Sequence, residues 1–335
     1  MFRNYLLLIL CLLSFFSYSQ IISGFVLDKN TNEPLLGTSI YLDGTTIGTT
    51  TNNDGYFELE INTPQNASLI ISFVGYDTQL FSLTKFNNSK KIYLEESANQ
   101  LNEVVLGLDI WSREKKMRIF KSEFLGKEKS SLTCKILNEK DIILIYNSTS
   151  NTLSAYADKP IIIKNKYLGY ELSYNIVAFE VEFIINLQGL RITNEVYYAG
   201  TTFFKELKKK PKNKILLNRK KEFHGSLVHF MRSLASKQLN ENKFQIYFKS
   251  LPTNPYKYFD ITTENGQVKA VITTSKLSVL YNNYDQSSIQ PISKNKNIFY
   301  IDSFGNHSPT TNLLFSGVFG LKRISNMLPI NYKPY

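Results

Sequence analysis

Between residues 20 and 97, short apolar runs alternate with turn residues. Phe57, Leu59 and Ile61 fall on one side of an extended segment, and Tyr56, Glu58 and Glu60 on the other. Strand side chains alternate between faces, so this pattern predicts one buried face and one wet face. Leu69, Ile71 and Phe73 repeat it. Further strands are expected at 22–27, 38–42, 78–83 and 91–94, about seven in all, the pattern of a β-sandwich. The Asn- and Pro-rich loop 28–34 and the hairpin signal Asn53-Asp54-Gly55 supply the reversals. Gly44 and Gly48 bracket a tight link.

Residues 113–125 predict a short amphipathic helix, with Met117, Phe120 and Phe124 on one face among Arg113, Lys115, Lys116 and Lys121. It reads as a linker helix docking on the next domain, with a membrane-surface helix as the alternative. The β pattern then returns at 136–137, 142–146, 153–157, 161–163, 171–185, 191–198 and 202–204. In the longest run Val177, Phe179, Val181, Phe183 and Ile185 are expected inward. One substantial helix is expected at about 219–239, where Phe223, Leu227, Phe230, Met231 and Leu234 share a face. Strands come next at 245–248, 258–262, 268–273, 277–281 and 298–301, with Asn265-Gly266 as a hairpin turn. The fold class is therefore mainly β: a sandwich, then a larger β-rich domain with one substantial helix.

Residues 1–19 break this pattern. Arg3, the apolar run from Leu6 to Leu13 and Ser17-Tyr18-Ser19 read as a secretory signal cleaved before Gln20. The apolar run is too short for a membrane span, and no later segment has 18 uninterrupted apolar residues, so no transmembrane helix is expected in the mature chain. The expected organisation is signal peptide 1–19, sandwich 20–97, linker with the short helix 98–128, and β-rich domain 129–335. The mature chain keeps one cysteine, Cys134, which reads as a small strand residue.

Composition adds little to the fold and more to the partners. Hydrophobic residues make up 43% of the chain, which rules out wholesale disorder. The net charge is +11, and residues 205–223 alone hold nine Lys or Arg against Glu206 and Glu222. That stretch is either a solvated loop or a patch for an acidic partner: an envelope protein, an anionic glycan or a lipid headgroup. Export makes nucleic acid a poor partner.

Chemistry is sparse. His224 and His229 are five residues apart, so on one helix they diverge by about 140° and cannot share an ion; no metal and no cofactor is expected. Ser226 and His229, with Arg232 nearby, invite a hydrolase reading, but no Gly-x-Ser-x-Gly elbow exposes the serine. The structural alternative pairs Arg219 or Arg232 with a sheet carboxylate such as Glu180 or Glu182. Arg219, Ser226, His229 and Arg232 thus form a candidate polar or binding cluster without an assigned reaction.

Several spaced positions agree with one family: Gly24-x-Val26-x-Asp28, Asn32-Glu33-Pro34-Leu35-x-Gly37, Gly44-Thr45-x-x-Gly48-Thr49, Asp54-Gly55-x-Phe57 and Phe73-Val74-Gly75-Tyr76. This stretch resembles the carboxypeptidase regulatory-like domain, a transthyretin-like β-sandwich common in exported Bacteroidota proteins. The resemblance implies a sandwich and no peptidase activity. The same module precedes the plug of TonB-dependent transporters, and residues 101–107 resemble the segment next to it there. About 230 residues remain, too few for a plug and a 22-stranded barrel, so a transporter is not expected. Three further motifs resemble a group of Bacteroidota envelope proteins and imply no activity: Asn165-x-x-Leu168-Gly169-Tyr170, Arg219 to Leu234, and Met327-Leu328-Pro329-x-x-Tyr332-x-Pro334. The expected function is that of an exported, non-catalytic cell-envelope protein with a binding or assembly role. The alternatives are an envelope-polymer hydrolase using Ser226, His229 and Arg232, or a salt-sensitive peripheral outer-membrane protein.

Overall fold

The computed structural model describes residues 20–61, 67–83, 86, 88, 90–97, 109–264 and 267–334. The expected export signal, the 101–107 segment and the expected Asn265-Gly266 turn lie outside the described residues. The fold is mainly β, and the chain divides into two units: Met1–Asp43 with Ile47–Ala98, and Gly44–Thr46 with Asn99–Tyr335.

Among the described residues, the first unit has seven strands: β1 (Gln20–Asp28), β2 (Ser39–Leu42), β3 (Gly48–Thr50), β4 (Tyr56–Ile61), β5 (Ser68–Ser72), β6 (Gln79–Ser82) and β7 (Lys90–Leu94). They form two sheets, ordered β4-β1-β7 and β3-β2-β5-β6. Phe57, Leu59 and Ile61 are buried, as their alternation predicted, and the core adds Ile22, Val26, Ile40, Leu69, Ile71 and Leu94. Gly55 sits at φ +71, and a Cβ there would lie 2.5 Å from the Val26 carbonyl, so the turn requires glycine. Asp28 accepts hydrogen bonds from the Tyr76 hydroxyl at 2.6 Å and from two backbone amides. The Tyr76 bond, ahead of the amide bonds, holds this carboxyl below its usual range.

The first half of the second unit is an antiparallel sheet. Its strands are β8 (Cys134–Ile136), β9 (Ile143–Asn147), β10 (Thr152–Tyr156), β11 (Ile161–Asn165), β12 (Tyr170–Ile185) and β13 (Arg191–Glu206). The order is β8-β11-β12-β10-β9, with β13 also paired to β12. Helix α1 (Arg113–Leu125) is capped by Ser112, which accepts from the Lys115 amide. It buries Met117, Phe120 and Phe124 in the same core as Phe179 and Val181, so it belongs to this unit's core.

The long strand changes phase. Tyr170, Leu172 and Tyr174 are buried, then Phe179, Val181 and Phe183. Ile176 pairs with Gly200 and Ala178 with Ala199, which leaves Val177 as the extra residue of a bulge, 74% exposed. One added residue turns every later side chain to the other face, so the expectation of Val177 inside is corrected. Ile185 is also outside, because the hairpin runs past the core there.

The second half holds α2 (Asn213–Phe223), α3 (Leu227–Ala235), β14 (Phe244–Phe248), β15 (Leu251–Thr253), β16 (Phe259–Glu264), β17 (Gln267–Ile272), β18 (Leu277–Tyr281), β19 (Asp285–Pro291), β20 (Ile298–Ile301), β21 (His307–Ser308), β22 (Leu313–Gly317) and α4 (Val318–Leu321). The sheets run β15-β14-β18-β19-β22 and β16-β17-β20-β21. Phe230, Met231 and Leu234 of α3 are buried with Phe244, Val279 and Phe299. The single helix expected at 219–239 is in fact two. Gly225 has φ +74, outside the helical region, and a Cβ there would come within 2.6 Å of the Tyr281 ring.

Candidate functional site

Ser226 is the N-cap of α3, and its hydroxyl accepts from the backbone amide of His229 at 3.1 Å. The imidazole is turned elsewhere: its Nδ1 accepts from the Gly225 amide at 3.1 Å. Among the described hydrogen bonds the serine oxygen meets the histidine backbone, not the ring, so no serine–histidine proton relay is assembled. His229 is packed among Phe223, Phe244 and Tyr281, with ring centroids 5.0, 5.0 and 5.7 Å away. Burial, then the neighbouring His224, pushes its imidazole down to about 4. Its imidazole resonances are therefore expected to titrate near pH 4. The unfolded chain takes the proton first, near its ordinary value of 6.5, so this group costs stability as pH falls from about 6.5 to about 4. An NMR midpoint above about pH 6 would overturn the assignment.

The helix break brings His224 and His229 together, with ring centroids 5.2 Å apart, where a continuous helix would have separated them. Among the described residues, no group of three or more His, Cys, Asp or Glu could hold a metal ion. The Cys134 thiol is pushed up to about 12 by burial, so it stays protonated at neutral pH.

The two arginines are structural pins. Arg219 is 4% exposed and donates to the Leu168 carbonyl at 2.7 Å and to both oxygens of Glu206, at 2.9 and 2.7 Å. Its guanidinium lies 3.8 Å from the Tyr170 ring centroid. The expected partners Glu180 and Glu182 are thus replaced by Glu206, which β13 places beside Tyr170. Arg232 makes no carboxylate pair among the described ion pairs. It donates to the carbonyls of Phe304, Tyr332 and Ile330, at 2.8, 2.9 and 2.5 Å.

A buried acid completes this seam. Glu222 accepts from the Tyr167 hydroxyl at 3.1 Å and from Asn326 at 3.1 Å, and pairs with Lys322 at 3.2 Å. Asn326 also donates to Glu128 and Ser130, and Asn165 donates to the Ser325 carbonyl. The three motifs at 165–170, 219–234 and 327–334 therefore meet, and what they share is a hydrogen-bonded joint between the two halves of the unit.

Open surface lies elsewhere. The eight lysines between 205 and 221 are all exposed, at the end of β13, on the loop before α2 and on α2 itself. A groove of about 470 Å³ lies between α1 and the β12–β13 hairpin, lined by Trp111, Lys115, Arg118, Phe183 and Arg191 among others. Trp111 stacks on Tyr146 at 3.7 Å, with the Lys115 ammonium 4.0 Å from its ring centroid and the Arg191 guanidinium 5.2 Å from it. The sequence reading missed this groove. The signal was the sole tryptophan, placed just before a helix whose first turns carry Lys115 and Arg118.

The family model of the CarboxypepD_reg-like domain matches residues 22–106. The TonB-dependent receptor SusC of Bacteroides thetaiotaomicron is 35% identical over 91 residues, which are 27% of this chain and 8% of that receptor's length. A chain of a type II cohesin–X-dockerin complex from Acetivibrio cellulolyticus matches at 21% identity with a TM-score of 0.18, over 22% of this chain and 51% of that one. A score that low says nothing of fold or role. No helix among the described residues is long and apolar enough to cross a membrane. Over residues 22–106 the chain carries a CarboxypepD_reg-like domain, the sandwich to which the spaced glycines and the Asn-Asp-Gly turn pointed.

Proposed function

We propose that this is an exported, non-catalytic protein of the cell envelope, periplasmic or outer-membrane associated, that works by binding an anionic envelope partner. One observation carries the reading: Ser226, His229 and Arg232, the residues that invited catalysis, are committed to a cap, a backbone amide and carbonyls, and Arg219 to a seam. The exposed lysines around α2 supply the complementary charge, with Arg219 and Glu206 already paired to each other. The regulatory-like domain supports a binding or assembly role, since its likeness to part of an outer-membrane receptor brings no catalytic motif.

The test uses the chain from residue 20 onwards. Retention on peptidoglycan, lipopolysaccharide and solubilised envelope proteins is expected to weaken at least tenfold in the K208E/K209E/K210E variant. It should also weaken as salt rises, because such contacts are screened within about 8 Å at physiological ionic strength. Ser226→Ala should bind as the wild type does. Turnover of an envelope polymer that Ser226→Ala abolishes without unfolding the chain would overturn the proposal in favour of the hydrolase.

A further inference from the structure

The β12–β13 hairpin ends in an apolar tip. Leu187 is fully exposed, Leu190 is 61% exposed and Ile185 64%, with Ile184 and Ile192 at 41% and 44%. Ile184 pairs with Ile192 on one face of the hairpin, while Ile185, opposite Arg191, points to the other. The apolar side chains therefore surround the tip instead of lining one side. A partner protein covers one face of a hairpin; a bilayer surrounds whatever enters it.

The turn is built to keep its backbone paired. Asn186 accepts from the amides of Gln188 and Leu190 through its side chain and from Gly189 through its carbonyl, and its own amide donates to the Leu190 carbonyl. Unpaired backbone groups are what most opposes transfer out of water, and here the amides of Asn186, Gln188, Gly189 and Leu190 are satisfied within the turn. Behind the tip lies the groove with Lys115, Arg118 and Arg191. Its acid, Glu123, is paired with Lys127 at 2.7 Å. At about 3.4 Å per residue the turn extends roughly 10 Å beyond Phe183, the last core residue of the strand. Interfacial apolar groups sit about 5–10 Å into the headgroup and acyl boundary, which leaves the groove's cations at the level of the phosphates. Further back, Glu182 and Glu195 face each other and set a limit to entry.

We propose that the hairpin tip around Leu187 and Leu190 inserts into the surface of an anionic phospholipid bilayer, with Lys115, Arg118 and Arg191 meeting the headgroup phosphates. The inference rests on the exported, binding role above but uses a different surface. The lysine stretch begins with Lys205 near the far end of β13, which runs from Arg191 to Glu206, so it lies roughly 45 Å along the strand from Arg191. A chain held by its tip would present that stretch away from the bilayer.

The experiment is flotation of the chain from residue 20 with vesicles of phosphatidylethanolamine and phosphatidylglycerol, compared with neutral phosphatidylcholine vesicles. The wild type is expected to float with the anionic vesicles and to be only partly released in about 0.5 M salt, because the apolar contact is not screened. L187D/L190D should lose at least tenfold in binding with unchanged Trp111 fluorescence, since both side chains are outside the core. K208E/K209E/K210E should float as the wild type does. The proposal is overturned if L187D/L190D floats normally. It is equally overturned if the lysine variant alone fails to float, or if the wild type ignores vesicles while L187D/L190D dissociates a dimer or a protein complex. None of these results touches the retention assay on envelope polymers, so the two readings fail separately.

Discussion

Replacing Glu222 with alanine is expected to destabilise the second unit by about 3–5 kcal/mol, the cost typical of breaking a buried ion pair from one side. Glu222 is 6% exposed and gathers the Tyr167 hydroxyl, the Asn326 amide and the Lys322 ammonium. Without the carboxylate, the Lys322 ammonium is left, among the described residues' hydrogen bonds, with the Glu222 backbone carbonyl at 2.9 Å. Tyr167 and Asn326 lose an acceptor in a place water reaches poorly. Glu222→Gln should cost less, because an amide oxygen still accepts from Tyr167 or Asn326 while the charge is gone. The measurement is urea denaturation followed by tryptophan emission. Trp111 is the chain's sole tryptophan and lies in the core of this unit, so its signal reports the unit and not the sandwich. A loss below about 1 kcal/mol for Glu222→Ala would show that the joint is not held by its ions.

The sandwich was legible because its signals are local. Alternation at Phe57, Leu59 and Ile61 needs only the strand's own period, and Asn53-Asp54-Gly55 needs only the turn's own geometry. The α1 span was legible for the same reason, from Met117, Phe120 and Phe124 at helical spacing. What failed depended on partners distant in sequence. Val177 is outside because β13 supplies one residue fewer than β12 between two pairs, and nothing in β12 alone announces that. The partner of Arg219 is Glu206 and not Glu180, because the register of β13 puts Glu206 opposite Tyr170. The helix break was closer to hand. Gly225-Ser226 is a glycine at positive φ followed by an N-cap, and a reading that weighed caps as heavily as apolar spacing would have divided the helix there. The chemistry of the candidate cluster could not be decided from the sequence without knowing where each lone pair points, and the structure gives Arg219 and Arg232 separate partners. Ser226 and His229 are neighbours in both readings; only the structure shows that the hydroxyl meets an amide and the ring accepts from another.

Arg232→Met is expected to cost about 2–4 kcal/mol and to release the C-terminal segment. The guanidinium spans three carbonyls that come from two distant parts of the chain, Phe304 on one side and Ile330 and Tyr332 on the other. A planar fork can donate in three directions at once, and methionine fills a similar volume while donating in none. The aryl face of Phe223, 5.2 Å from the guanidinium, would keep its packing but lose its cation. Lysine separates charge from geometry. Its single ammonium restores the cation but cannot place donors on all three carbonyls, so Arg232→Lys should recover less than half of the loss. Burial already opposes the cation here, so charge alone has little reason to be kept, and the hydrogen bonds are what hold the residue in place. Hydrogen exchange at the backbone of residues 330–334, or clipping of the same segment by a carboxypeptidase, reads the release directly. Both should rise in Met and Lys variants before the tryptophan signal of global unfolding changes. If Arg232→Lys protects the segment as well as arginine does, the fork is not what pins it, and a simple cation is enough.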